Sequence, residues 1–288
     1  MHFLLFKVMS AVGMGLVLKD ASNRRLERLP LIRVNYVVAA VLGFGVAVLT
    51  GGTNIGLRTV ALGSITGAMF VAGLLCWTAA IRSAGLALSV VAMRTAVALP
   101  VLAAIVVWRE RPGIMQVAGI ALAVSALALV LVEVVHTRGK LPRSRSAPLW
   151  LAGLFLIDGL VMIPAQIFSR KIPPEETLPF QIVIFVVAFL VTSIIYHLRQ
   201  ERVSYKTVSH GALLGVCNLG NYLFLVLALR LLPGVVVYPV MGAAETALSA
   251  VAGAAIWKER FGLRGWLGVL LALLALVLVN LGRSSPSG

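Results

Sequence analysis

Three ionisable side chains fall near the middle of long apolar runs. They are Arg94 in "LALSVVAMRTAVALPVL", Asp158 in "LWLAGLFLIDGLVMIPA" and Glu245 in "VVVYPVMGAAETALSAV". A charge at the centre of a lipid bilayer costs about 2.5–3.5 kcal/mol on insertion scales, so it needs a task or a partner. The guanidinium of Arg94 offers a planar, permanently charged fork for a carboxylate or phosphate. Glu245 or Asp158 could meet a substrate amine or carry a proton. The other reading is a set of internal ion pairs, Arg94 with Glu245 and Lys7 with Asp158, that only fix packing. Lys7 lies close to the start of its run and could snorkel to the membrane surface.

Uncharged polar residues add to this set. Asn218, Asn221 and Tyr222 are spaced i, i+3 and i+4, which puts them on one helix face. Gln166, Asn35, Tyr238, Trp77 and Thr95 are further candidates. Each could line a cavity. Each could instead make a helix–helix hydrogen bond, worth about 0.6 kcal/mol in a membrane.

The elements that must position these residues follow from composition. The chain has 288 residues, 60% hydrophobic and 12% charged. That exceeds the roughly 45–50% apolar content of globular domains. Its charges are bunched between runs of about 20 apolar residues, the length of a membrane-crossing helix. The runs are continuous and do not alternate, which disfavours a β-barrel. The expected fold is therefore an all-α polytopic membrane protein. Ten spans are placed at 1–18, 34–50, 60–81, 86–108, 113–133, 149–169, 178–198, 209–230, 234–257 and 262–282. The first lacks a basic leader and reads as a retained span. Cys76 and Cys217 both lie inside spans and read as small packing residues.

The sequence also repeats itself. Trp108, Glu110, Arg111, Gly113 and Gly119 recur 149 positions later as Trp257, Glu259, Arg260, Gly262 and Gly268. Upstream, Gly63, Gly67 and Arg82 recur at an offset of 148 as Gly211, Gly215 and Arg230. Lys7 stands 151 before Asp158, and Arg94 maps within two residues of Glu245. The chain therefore divides into a first five-helix repeat at 1–135, a basic connection at 136–148, a second repeat at 149–282 and a short polar tail at 283–288. Five spans is an odd number, so the second copy enters the membrane inverted. Inverted repeats place a substrate site between the copies, near the midplane. The repeated Trp–Arg/Lys–Glu–Arg motif reads as an interfacial anchor for a helix hairpin. Gating by Glu110 or Glu259 is the alternative. Gly63, Gly67, Gly211 and Gly215 read as sites of close helix approach.

The five-plus-five plan, "WRERPG", "WKERFG" and "GNYLFLVLALRLLPGVVVYPV" together resemble the drug/metabolite transporter superfamily, in its EamA-like ten-helix branch. The resemblance covers nearly the whole chain. It implies ten helices around a central cavity lined by spans 1, 3, 4, 6, 8 and 9. It also implies carriage of small metabolites, often export of amino acids or related compounds. One departure stands out. The resembled pattern often has a proline after a carboxylate in the middle of span nine. Here Glu245 is followed by Thr246, and the nearest proline is Pro239, so a helix break there would be displaced.

The expected function is a secondary active transporter, an exporter of a small polar or zwitterionic metabolite, driven by protons or by exchange. Substrate contact or coupling is assigned to Arg94, Glu245, Asp158, Asn218, Asn221, Tyr222, Tyr238, Trp77 and Gln166. A lipid- or sugar-conjugate flippase is one alternative. Another is a non-transporting scaffold whose charges are structural pairs. No P-loop, metalloprotease or paired-cysteine motif is present, so no enzyme activity, cofactor or metal is expected. His2, His136, His197 and His210 lie at span ends or in loops. The net charge of +15 sits beside the spans. It fits anionic lipid better than nucleic acid. The expected partners are a small-molecule substrate, anionic lipids and a second copy of the chain, in a bacterial inner membrane.

Most Lys and Arg lie in the connections after the odd-numbered spans. Positive-inside counting then puts both termini outside, whereas the resemblance implies both inside. A reporter active only outside the cytoplasm, fused after Gly288, is expected to give signal. Signal from a cytoplasmic reporter alone would reverse the orientation.

Overall fold

The computed structural model describes residues 2–138, 144–199, 203–257 and 263–284. Among them there are helices and no strand. The helices lie on the apolar runs. They are α1 (His2–Asn23), α2 (Arg28–Thr50), α3 (Leu57–Ala84), α4 (Leu86–Thr95), α5 (Ala98–Val106), α6 (Ile114–Arg138), α7 (Ala147–Leu160), α8 (Ile163–Lys171), α9 (Thr177–Arg199), α10 (Tyr205–Leu231), α11 (Gly234–Trp257) and α12 (Leu263–Ser284). Among the described residues, eight segments are long and apolar enough to cross a membrane, and Ile114–Ala126 and Trp266–Ala275 are shorter apolar helices.

Two of the expected spans are broken. Span 4 becomes α4 and α5, and span 6 becomes α7 and α8. The cause is proline. Pro100 and Pro164 carry no N–H, so the carbonyls four residues back, on Ala96 and Leu160, lose their helical donor. The chain tightens locally instead. Leu99 N donates to Ala96 O at 3.0 Å, and Met162 N donates to Gly159 O at 3.4 Å. Pro239 does not break span 9; α11 runs through it from Gly234 to Trp257.

The described chain forms two compact units. One holds Gly73–Ile163 and Leu231–Gly288; the other holds His2–Ala72 and Pro164–Arg230. Each unit therefore draws segments from both sequence repeats.

In the first unit, α6 packs on α12 and α11, α11 on α12 and α5, and α4 and α5 on α7. Gly159 of α7 lies against the break between α4 and α5. A Cβ there would stand 2.7 Å from Ala96 O and 2.6 Å from Leu99 Cδ1. After α5, Arg109 takes a left-handed φ of 51°. That conformation suits a reversal of direction and is uncommon for a residue with a Cβ. Beyond it, Glu110 Oε2 accepts a hydrogen bond of 2.8 Å from Val235 N, in the first turn of α11. The first copy of the repeated motif thus ties the α5–α6 turn to the start of α11. A carboxylate there is favoured by the helix dipole. This is an anchoring contact. The residues of the second copy from Lys258 to Gly262 lie outside the described residues.

In the second unit, α2 and α9 pack along their length. They run antiparallel. Arg33 donates to Ser193 at 3.0 Å, the Tyr36 ring stacks on Phe185 at 6.3 Å, and Gly43 lies against Ile182. The four small residues singled out by the repeat make reciprocal contacts. Gly63 and Gly67 of α3 meet Val183 and Val187 of α9, whereas Gly211 and Gly215 of α10 meet Val34 and Val38 of α2. A Cβ on Gly67 would lie 2.5 Å from Ile184 O, and one on Gly215 2.7 Å from Asn35 O. These neighbours are backbone and cannot swing away.

Gly67→Ala and Gly215→Ala are each expected to lower stability by about 1–3 kcal/mol, the usual cost of overpacking. Gly15, with nothing within 4 Å of a built Cβ, serves as the control. Gly15→Ala should leave the melting temperature in detergent unchanged or slightly raised. Equal melting temperatures for all three variants would show that the close approaches do not constrain the fold.

Candidate functional site

The structure joins two of the three central charges. Arg94 sits in the last turn of α4, just before the break, and Glu245 sits in the middle of α11. Arg94 Nη1 donates to Glu245 Oε2 at 3.1 Å. The two side chains are 30% and 9% exposed. The carboxylate is thus the more enclosed partner. The C-terminal end of a helix carries partial negative charge, so α4 itself favours a cation at Arg94. Gly242, one turn before Glu245, lies against Val97 at the same break.

Asp158 lies half-buried in the last turn of α7, where the helix dipole opposes an anion. Trp77, on the part of α3 in this unit, is also half-buried. Tyr238 is fully buried, and its hydroxyl donates at 3.1 Å to the carbonyl of Met162, between α7 and α8. Five expected site residues therefore belong to the first unit: Arg94, Glu245, Asp158, Tyr238 and Trp77. Thr95 beside them is exposed and bonds its own helix at Val91 O.

The other four, Asn218, Asn221, Tyr222 and Gln166, belong to the second unit. The i, i+3, i+4 face of α10 meets three different helices. Asn218 Nδ2 donates to Asn35 Oδ1 of α2 at 3.2 Å. Asn221 Nδ2 points to Met14 Sδ of α1 at 3.2 Å, while its Oδ1 has no hydrogen-bond partner among the described residues. The Tyr222 ring packs edge-on against Phe70 of α3, with centroids 5.5 Å apart, and lies beside Phe180 of α9. Its hydroxyl approaches Thr66 without closing a hydrogen bond. Gln166 is buried on α8.

Two residues gain weight from the structure. Lys7, which could have reached the surface, is only 5% exposed on α1. It shares a helical stripe with Phe3, Ser10 and Met14, and these face Phe224, Gly220 and Asn221 of α10. Gln181 of α9 is fully buried. With its amide turned to suit its surroundings, its nitrogen donates to Leu219 O at 3.2 Å and its oxygen accepts from Leu223 N at 3.1 Å. A regular helix pairs those two groups with each other. Gln181 thus adds its amide to both ends of that helical pair, at the turn of α10 that carries Asn221 and Tyr222. The sequence offered one signal for it, a polar amide inside the most apolar run of the chain.

Gln181→Leu keeps the volume and removes the amide. Loss of its two bonds to the α10 backbone should cost about 1–3 kcal/mol. Amide hydrogen exchange at Leu223 should quicken as its side-chain acceptor is lost. Unchanged exchange there would rule out the contact.

The chain is similar to known proteins over almost its full length. An uncharacterized protein of Haemophilus influenzae is 25% identical over 290 residues, covering 96% of each chain. A solved crystal structure superposes with a TM-score of 0.76, covering 97% of this chain and 98% of its own, at 15% identity; that likeness is one of fold. The EamA-like transporter family matches residues 145–281. Over this C-terminal half, the multi-pass membrane protein is similar to the EamA-like transporter family.

Proposed function

We propose that the protein is a secondary carrier that exports a small zwitterionic metabolite, of the amino-acid class, across a bacterial inner membrane. One observation carries this reading: the Arg94–Glu245 pair, enclosed between membrane-spanning helices at a proline break. An Arg–Glu pair is the complement of a zwitterion. A substrate carboxylate can replace Glu245 on the guanidinium, and a substrate amine can replace Arg94 on the carboxylate. Proton or exchange coupling then works through Glu245 or Asp158. Tyr238 and Trp77 in the first unit, and Asn218, Asn221, Tyr222 and Gln166 in the second, are further polar contacts, each within its own unit.

The architecture in this reading is ten crossings built as two inverted five-helix repeats. The reciprocal glycine contacts support it, since exchange of like contacts between repeat mates is what a two-fold relation produces. The antiparallel pairing of α2 with α9 supports it too, because those helices carry spans 2 and 7. The flanking basic residues suit anionic lipid. A homodimer remains part of the proposal.

The same ion pair also suits a scaffold, and the variants distinguish the two. In a carrier, Arg94→Gln and Glu245→Gln should keep near-normal expression and melting temperature while counterflow of the substrate falls at least tenfold. In a scaffold, each single change strands a charge and costs roughly 3–5 kcal/mol. The double exchange Arg94→Glu with Glu245→Arg should then recover part of that loss. Unstable singles rescued by the exchange would overturn the carrier reading.

A further inference from the structure

We propose that His210 is a proton-binding latch that holds the end of α1 to the start of α10. It lies in the second turn of α10 and is about one-fifth exposed. His210 Nε2 lies 2.8 Å from Asp20 Oδ2 of α1. His210 Nδ1 lies 2.8 Å from the carbonyl oxygen of Lys206. A carboxylate and a carbonyl both accept and neither donates. A neutral imidazole has one N–H and one bare nitrogen, so it can satisfy only one of them. Both contacts close when both ring nitrogens carry protons. The geometry is therefore that of an imidazolium, and imidazole is the side chain whose charge changes between pH 5 and 8.

Asp20 supplies the negative charge, and Arg24 Nε binds the same oxygen at 2.7 Å, fixing the carboxylate in place. The Ser209 hydroxyl lies 3.5 Å from Nδ1. The other charged groups on the adjoining elements are Lys7 and Lys19 of α1, Arg25 between α1 and α2, Glu27, Arg28 and Arg33 at the start of α2, and Lys206 and Arg230 of α10. Arg33 is turned away, onto Ser193 and the Phe189 and Tyr196 rings of α9.

The latch acts on the polar turn of α10. Helix α1 leaves it and runs antiparallel along α10, with Gly13 beside Cys217, Ser10 beside Gly220 and Phe3 beside Phe224. Loss of the proton leaves one ring nitrogen facing an oxygen across two lone pairs. It thereby reduces the ion pair to at most one N–H to carboxylate bond and loosens the end of the helix that covers Asn221. On the carrier reading this makes the opening of the α1–α10 pair depend on pH, at a site separate from the central carboxylates. The latch rests on that reading only for this consequence.

Amide hydrogen exchange on the full-length protein in detergent tests it without any substrate, over pH 5 to 8.5 and corrected for intrinsic exchange. Protection of segments 16–24 and 205–212 should fall about tenfold as the pH rises across this interval. His210→Lys keeps a charge in reach of Asp20 and should hold protection flat and high. His210→Gln should hold it flat and low. Asp20→Asn should remove the pH dependence while preserving the fold, and it covers the case in which His210→Gln does not express. A flat wild-type profile, or pH dependence that survives in His210→Gln or Asp20→Asn, overturns the latch. None of these results bears on whether the protein is a carrier, which the Arg94 and Glu245 variants decide.

Discussion

Inside hydrocarbon no water is present to take up a free backbone group, so every N–H and C=O in a span must find a partner in the protein. The rest of the structure can be derived from how this chain meets that demand at Pro100 and Pro164. Each proline deletes one donor and opens a carbonyl one turn back. The two breaks help each other. Gly159 sits one turn from its own break and presents no side chain, so α7 can lie directly against Ala96 and Leu99 at the other break. The hydroxyl of Tyr238 then donates to Met162 O from α11. Both breaks are local: Ala96, Val97 and Val161 keep right-handed helical backbone, and each apolar run remains one span. Arg94 and Asp158 each lie in the turn before such a break.

The second unit meets the same demand differently. Its helices stay whole and approach closely through glycine. The contacts of Gly63 and Gly67 on α9 mirror those of Gly211 and Gly215 on α2. Close approach brings buried amides within reach of neighbouring helices. Asn218 finds Asn35 this way, and Gln181 reaches the backbone of α10 at Leu219 and Leu223. Six rings, those of Tyr36, Phe70, Phe168, Phe180, Phe185 and Tyr222, pack into one chain of contacts around these bonds. Tyr222 is therefore as much a core residue as a polar one.

Much of this was legible before the structure. Apolar runs place the helices because length and hydropathy are local properties. The four glycines were read as sites of close approach because small residues recurring on one helix face have few other uses in lipid. The two breaks were missed, although Pro100 and Pro164 are plain in the sequence. Each sits in a run whose apolar average hides it, and Pro239 drew attention while its helix stays unbroken. The compact units were not legible either. A repeat records descent, whereas packing pairs segments of one copy with segments of the other. The face formed by Asn218, Asn221 and Tyr222 follows from their spacing, but spacing cannot say that three different helices surround it. Lys7 was misjudged because distance along the chain from its start says nothing of the helix lying over it.

The asymmetry of the Arg94–Glu245 pair bears on what a carrier of this form can accept. Opening a buried pair is tolerable only if each charge finds a new partner, since a stranded ion costs several kcal/mol. Arg94 is the more exposed, at 30%, and Glu245 the more enclosed, at 9%. On the proposed carrier reading, a zwitterion meets both charges at once, whereas a simple anion or a simple amine meets one of them.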